Sequence, residues 1–229
     1  MRSGTILAGT LTVALFATNV SAANLEAGRQ HYAACGACHG EDGRGIKELD
    51  APRIAGLGQW YMMRQVLNYY EGARGTHPDD ELGAQVRIMI LALPDKQAMQ
   101  DVVAYIATLE APLPEPTVEG DVERGEQLYA SCAACHGADG QGNQALNAPR
   151  LAGQSDWYLV RQLEAFKAGI RGTNPLDSLG AQMRPMALIL PDDQAIRDVV
   201  AYINTLEPEA RQEEPEEEPR EEPREEPEA

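Results

Sequence analysis

All four cysteines of the chain fall in two short runs, Cys35-Gly36-Ala37-Cys38-His39 and Cys132-Ala133-Ala134-Cys135-His136. Thiols three residues apart lie one helical turn from each other, and a histidine directly follows each second thiol. This is the Cys-x-x-Cys-His pattern of covalent haem attachment. The two thiols can add to the two vinyl groups of a porphyrin as thioethers. The adjacent imidazole then lies under the ring and ligates iron. A redox dithiol would need a βαβ context, which the sequence lacks. One zinc could take both cysteine pairs, and two disulfides could form, although so short a loop gains little from closure. None of these readings accounts for the two histidines.

Haem iron has a sixth position, and an internal repeat locates its ligand. Residues 25–110 align with residues 122–207 without a gap, sharing 50 identities over 86 positions. A ligand common to both units must stand at matched positions. Met62, Met63 and Met99 align with Leu159, Val160 and Ile196, and Met183 aligns with Val86. His31 aligns with Leu128, and His77 with Asn174. Only Met89 and Met186 coincide. The expected set is therefore Cys35, Cys38, Cys132 and Cys135 as thioethers, with His39, Met89, His136 and Met186 as axial ligands of two covalently bound haem c groups. His/Met ligation fills the iron and raises its potential. No coordination position remains for a substrate, so no catalytic residue is expected.

The elements that carry these groups are helical. Asn24 and Asp121 can cap the helices that end at His39 and His136. Residues 60–70 and 157–167 have helical character. The last helix of each unit has the clearest pattern: Met99, Val102, Val103 and Ile106, or Ile196, Val199, Val200 and Ile203, fall at i, i+3, i+4 and i+7. Asp95 and Asp192 stand at the matching N-caps. The fold class is all-α, in two units, residues 24–110 and 121–207. A unit this small, with so few aromatics, needs a large bound group to complete its core.

The flanking segments are of other kinds. Residues 1–23 have a positive start, an apolar stretch and small residues before a cleavage point after Ala22 or Ala23, the pattern of an export signal. Export implies a periplasmic location. Residues 111–120 form a proline-rich linker with three prolines, expected to be extended and semi-rigid. Residues 208–229 form a Pro/Glu/Arg tail with almost no apolar side chains, expected to be disordered. The formal net charge is −17, of which residues 209–229 carry −8. So acidic a chain lacks the basic footprint of a nucleic-acid partner.

The runs CGACHGEDGRG and CAACHGADGQG, APRIAGLGQWY and APRLAGQSDWY, VRIMILALPD and MRPMALILPD, and DVVAYIATLE and DVVAYINTLE together resemble the dihaem cytochrome c4 family. The resemblance covers about residues 24–207. It implies two tandem class I cytochrome c domains related by a pseudo-twofold axis. It also implies that Gly28 meets Tyr105, and Gly125 meets Tyr202, where first and last helices cross. Pro52 and Pro149 match the proline whose carbonyl orients the ligating histidine. Arg53, Arg150, Trp60, Trp157, Arg74 and Arg171 also match between halves, which fits contact with haem propionates, contact with the interdomain surface, or ordinary structural repetition. Ile88 precedes Met89 where Pro185 precedes Met186, so the two potentials should differ. The acidic tail has no counterpart in the family pattern.

The role implied is a periplasmic carrier of single electrons between a quinol-oxidising complex and a terminal oxidase or reductase. An alternative is an electron-accepting subunit of a periplasmic dehydrogenase of flavocytochrome or quinoprotein type. A third is a dihaem peroxidase-like enzyme, which would need one iron without a stable sixth ligand. The expected partners are redox proteins, and the role is compatible with peripheral membrane association.

Overall fold

The computed structural model describes residues 22–208. The acidic tail from residue 209, and the export signal as far as residue 21, lie outside them. Each unit has four α-helices and one short 3₁₀ turn. In the first unit these are α1 (Leu25–His39), a turn at Lys47–Leu49, α2 (Gln59–Glu71), α3 (Glu81–Leu91) and α4 (Lys96–Thr108). The second repeats them as α5 (Val122–His136), a turn at Gln144–Leu146, α6 (Asp156–Ala168), α7 (Ser178–Leu188) and α8 (Asp193–Ile203). The only β pairing among the described residues is one isolated bridge per unit, Ile46 with Ala51 and Asn143 with Ala148.

The helices start where the caps stand. The Asn24 side chain accepts from the Glu26 and Ala27 amides, and Asp121 accepts from Arg124. Asp95 and Asp192 cap α4 and α8 through Ala98 and Ala195. The two helices bearing the matched methionines, α3 and α7, were not visible as helices in the sequence. They are capped by Asp80 and Asp177. In α7, Pro185 stands inside the helix, just before Met186.

The core of each unit is the crossing of its first and last helices. Met99, Val102, Val103 and Ile106 are buried, as are Ile196, Val199, Val200 and Ile203. The crossing is so close that a Cβ on Gly28 would lie 2.1 Å from the Asp101 carbonyl oxygen, and one on Gly125 2.0 Å from that of Asp198. Beside Gly28 and Gly125 stand the Cβ atoms of Tyr105 and Tyr202, so both expected pairings occur. A buried carboxylate fastens each crossing. Asp101 accepts from the Asn24 amide at 2.9 Å, and Asp198 from the Asp121 amide at 2.8 Å. Asp198 also accepts from Arg124 at 2.7 Å.

The units face each other with reciprocal contacts. Arg64 donates to the Asn147 side chain (3.1 Å) and carbonyl (3.0 Å), while its equivalent Arg161 donates to the Asp50 side chain (2.9 Å) and carbonyl (3.0 Å). This exchange of equivalent partners is the signature of a pseudo-twofold axis. The linker is strapped down across the interface. Arg53 donates to the Pro112 carbonyl, and Lys47 to the Thr117 hydroxyl at 3.0 Å. The Asp156 carboxylate accepts from the Thr117 amide, from the Thr117 hydroxyl at 2.9 Å and from the Val118 amide at 2.7 Å.

Gly28→Ala and Gly125→Ala should each cost about 2–3 kcal/mol in thermal unfolding, because rigid backbone would have to move. Gly36→Ala should be tolerated, since its Cβ would meet only the Tyr32 ring at 3.3 Å and Ala133 already stands at the matched position. Burial raises the Asp198 pKa, but donation from Asp121, Gln194 and Arg124 outweighs it and holds the group below the usual aspartate value. That stabilisation is present above about pH 3.9 and is lost as pH falls through the lower folded value. Asp198→Asn should flatten the acid limb of the stability curve below about pH 4, measured by unfolding across a pH series.

Candidate functional site

The reactive residues sit at the C-terminal turn of the first helix of each unit. α1 ends at His39, where Gly40 leaves the helix at φ 81° and its amide bonds back to Gly36 at 2.9 Å. α5 ends likewise at His136, with Gly137 at φ 82° and its amide on Ala133 at 3.0 Å. Cys35 and Cys132 lie half-buried against the two cores, while Cys38 and Cys135 are exposed. None of the four is in a disulfide. Among the described residues, no three Cys, His, Asp or Glu side chains converge as a zinc site would require.

The loop after each histidine folds back beneath it. The Gly45 amide bonds to the His39 carbonyl at 2.8 Å, Ile46 and Ala51 exchange bonds at 2.8 and 3.2 Å, and the Ile54 amide reaches the Gly43 carbonyl at 2.9 Å. A Cβ on Gly45 would lie 2.6 Å from the Arg53 amide nitrogen, so only glycine, here at φ 86°, fits this fold-back. The result presents the Pro52 carbonyl to the His39 imidazole, Nδ1 to oxygen 2.8 Å. The second unit repeats this with His136 and Pro149, also at 2.8 Å. A carbonyl partner requires Nδ1 to carry the hydrogen, which leaves Nε2 with a free lone pair. Burial pushes both imidazoles below the usual histidine pKa, against the smaller opposing effect of the carbonyl bond. Both are therefore neutral at pH 7.

The helix ends are held from behind. The Tyr32 hydroxyl donates to the Gly40 carbonyl at 2.6 Å, and Tyr129 to Gly137 at 2.7 Å. Each tyrosine packs on a last-helix tyrosine, Tyr105 or Tyr202, with ring centroids 5.3 Å apart. The matched methionines lie on different elements, Met89 on α3 and Met186 on α7, and neither α3 nor α7 fully covers its apolar side chains. Ile88 is 67% exposed, Met89 45% and Leu91 44%; in the second unit Leu188 is 48% and Ile189 55% exposed. Bare apolar faces at the same place in both units mark a site for an apolar partner. A porphyrin is an apolar plate of the kind such faces would cover; Met89 is exposed on one of them and Met186 half-buried on the other. Paired thiols one turn apart, an imidazole held by its Nδ1 and a thioether on the apolar face complete the donor chemistry of a haem c.

Sequence reasoning missed the fasteners of this site. Asp101, Asp198 and Asp156 are buried carboxylates without a motif, and Tyr32 with Tyr129 carried only the faint signal of identity between halves. Arg64 and Arg161 also match between halves, but their partners Asp50 and Asn147 differ in residue type.

The family model for cytochrome c matches residues 25–110 and 122–207. Cytochrome c4 of Azotobacter vinelandii is 32% identical over 211 residues, covering 86% of this chain and 95% of that protein. The thiosulfate dehydrogenase electron acceptor of Stutzerimonas stutzeri is 35% identical over 190 residues, covering 76% of this chain and 81% of that one. The crystal structure of reduced recombinant cytochrome c4 from Pseudomonas stutzeri superimposes with a TM-score of 0.63 at 27% identity, over 81% of this chain and 100% of that one.

Tyr32→Phe and Tyr129→Phe each remove one of two donors to the carbonyl just past the helix end, leaving the Gly43 or Gly140 amide. Each should lower stability by about 1 kcal/mol, measured by thermal unfolding, with the two changes additive because they lie in different units.

Proposed function

The chain belongs to the dihaem cytochrome c4 family and is an electron-transfer protein with two covalently bound haem c groups, and from that premise we propose that it is a periplasmic shuttle between a respiratory donor and a terminal oxidase or reductase. Each haem supplies one-electron chemistry, its iron alternating between ferric and ferrous states. The observation that carries the reading is the doubling of the whole ligand apparatus: Cys35, Cys38, His39 and Met89 recur as Cys132, Cys135, His136 and Met186.

In this reading Cys35 and Cys38, and Cys132 and Cys135, anchor the two groups covalently. The Pro52 and Pro149 carbonyls orient His39 and His136 and raise their basicity as ligands. Met89 and Met186 would each supply a thioether sulfur to the iron, which would raise the potentials and keep water and small ligands off it. The different neighbours Ile88 and Pro185 make the two sulfur environments unequal, so the two haems should titrate at separate potentials. The acidic surface steers the chain onto basic docking sites, and its contacts with partners are small and transient.

A second reading is that of electron-accepting subunit to a periplasmic dehydrogenase. The relative named as a thiosulfate dehydrogenase electron acceptor favours it. The two readings share the same site and differ in the donor, so co-purification with a larger catalytic chain distinguishes them.

A redox titration followed by optical and EPR spectra should find two low-spin haems with two midpoint potentials. Met89→Ala should turn one haem high-spin and lower one potential, and Met186→Ala the other. Unchanged spectra and potentials in both variants would overturn the ligand assignment. Reduction of a basic redox partner, followed by stopped flow, should slow as ionic strength rises, with screening setting in near 0.1 M salt where the Debye length is about 10 Å.

A further inference from the structure

Two arginines meet where the units face each other, Arg74 buried and Arg171 half-buried. Arg74 follows α2, and its repeat equivalent Arg171 follows α6. Arg74 is 7% exposed and stacks 4.5 Å above the Tyr69 ring; Arg171 stacks 4.3 Å above the Phe166 ring. Each donates Nη1 to the glutamine of its own unit at 2.7 Å, Arg74 to Gln65 and Arg171 to Gln162. Arg74 Nη2 also reaches across to the same Gln162 oxygen at 3.4 Å. One amide oxygen thus stands between two guanidiniums.

Neither arginine forms an ion pair with a carboxylate among the described residues. The groups acting on them are the phenols Tyr61, Tyr69 and Tyr158, the last hydrogen-bonded to Arg74, and each other. Their Nε atoms are buried and have no acceptor, and the same is true of Arg87 and Arg184. Arg87 and Arg184 are also repeat equivalents, each beside a loop that carries one of the interface arginines: a Cβ on Gly72 would lie 3.8 Å from Arg87 Nε, and one on Gly169 3.9 Å from Arg184 Nε. A buried charge is costly unless paired and hydrogen-bonded. Here two like charges are brought together, and a donor is orphaned at four matched places. The two cations also act on Tyr158. Burial raises its pKa, yet Arg74 and Arg171 outweigh this and draw it below the usual tyrosine value. The cluster calls for anions.

We propose that Arg74 and Arg171 form one shared seat for the propionate carboxylates of both haems, so that each guanidinium acts on both iron potentials. This rests on the reading of the chain as a dihaem protein. It goes beyond that reading by assigning two positioning residues outside the attachment motifs and by making the domain interface an electrostatic link. A carboxylate from each unit's own haem would find, in the neighbouring unit's arginine, part of its counter-charge. The bridging Gln162 oxygen holds the two cations together until the carboxylates arrive. Loss of either positive charge favours the ferric state at both sites, because both carboxylate sets lose screening.

The test is spectroelectrochemical titration of the holoprotein for Arg74→Gln, Arg171→Gln and the corresponding Arg→Lys variants, with haem content and thermal unfolding measured alongside. The Gln variants should keep two low-spin haems while both midpoint potentials shift downward, and the Lys variants should restore most of the shift. Gln162→Glu places a carboxylate within the protein against both guanidiniums. It should also lower both potentials, and it keeps the proposal testable where an Arg→Gln variant does not fold. Potentials that stay fixed while only the melting temperature falls would overturn the seat. A shift confined to one haem would overturn its sharing. A haem content other than two in the unsubstituted protein would instead overturn the dihaem reading itself.

Discussion

The close approach of first and last helices within each unit is the constraint on which everything else depends. No side chain fits between α1 and α4 at Gly28, or between α5 and α8 at Gly125, where a Cβ would collide with backbone oxygen. Contact at that distance fixes the roll as well as the position of α1 and α5, and their last turns carry the thiols and imidazoles. The buried carboxylates Asp101 and Asp198 hold the helix starts, while Tyr32 and Tyr129 hold the ends. The attachment motif is thus restrained at the start of its helix by a carboxylate of the helix behind it, and at the end by a tyrosine of its own helix that packs on that helix.

What the sequence displayed and what it hid differ in kind. Local groups were legible: the caps Asn24, Asp121, Asp95 and Asp192, the apolar spacing of α4 and α8, and the thiol and histidine pattern. All of these act within a few residues along the chain. The repeat added reach, because a position identical in both halves must serve both, and this singled out Met89 and Met186 from the other methionines. It could not reveal that α3 and α7 are helices, since short segments with exposed apolar faces show no clear amphipathic period. Nor could it reveal partners far apart in sequence. Asp156 carries no local signal of its role, yet its carboxylate accepts from two linker amides some 40 positions earlier. The linker composition indicated an extended segment and gave no sign that Arg53, Lys47 and Asp156 would pin it.

Two departures between the halves have a structural reason in the linker and the interface. Asp156 stands where the first unit has Gln59, and Ser155 where it has Gly58. Only the second unit is entered from a linker, so only it needs a carboxylate to accept the Thr117 and Val118 amides. Ser155 accepts from the Arg53 amide at 3.1 Å across the interface, a contact the glycine at the matched place cannot return. The asymmetric groups therefore convert a symmetric pair of domains into one body with a fixed front.

That fixed body bears on how electrons move. Two haems in domains that swung freely would exchange electrons at a rate set by rare close encounters. Here the reciprocal Arg64–Asn147 and Arg161–Asp50 bonds, the shared Gln162 and the strapped linker leave one arrangement. The differences that remain near the sites, Ile88 against Pro185 and Tyr69 against Phe166, are then free to set the two potentials apart without altering the separation between them. The repeat supplies two matched sites at once; the unequal side chains around the interface are what can give the internal step a direction.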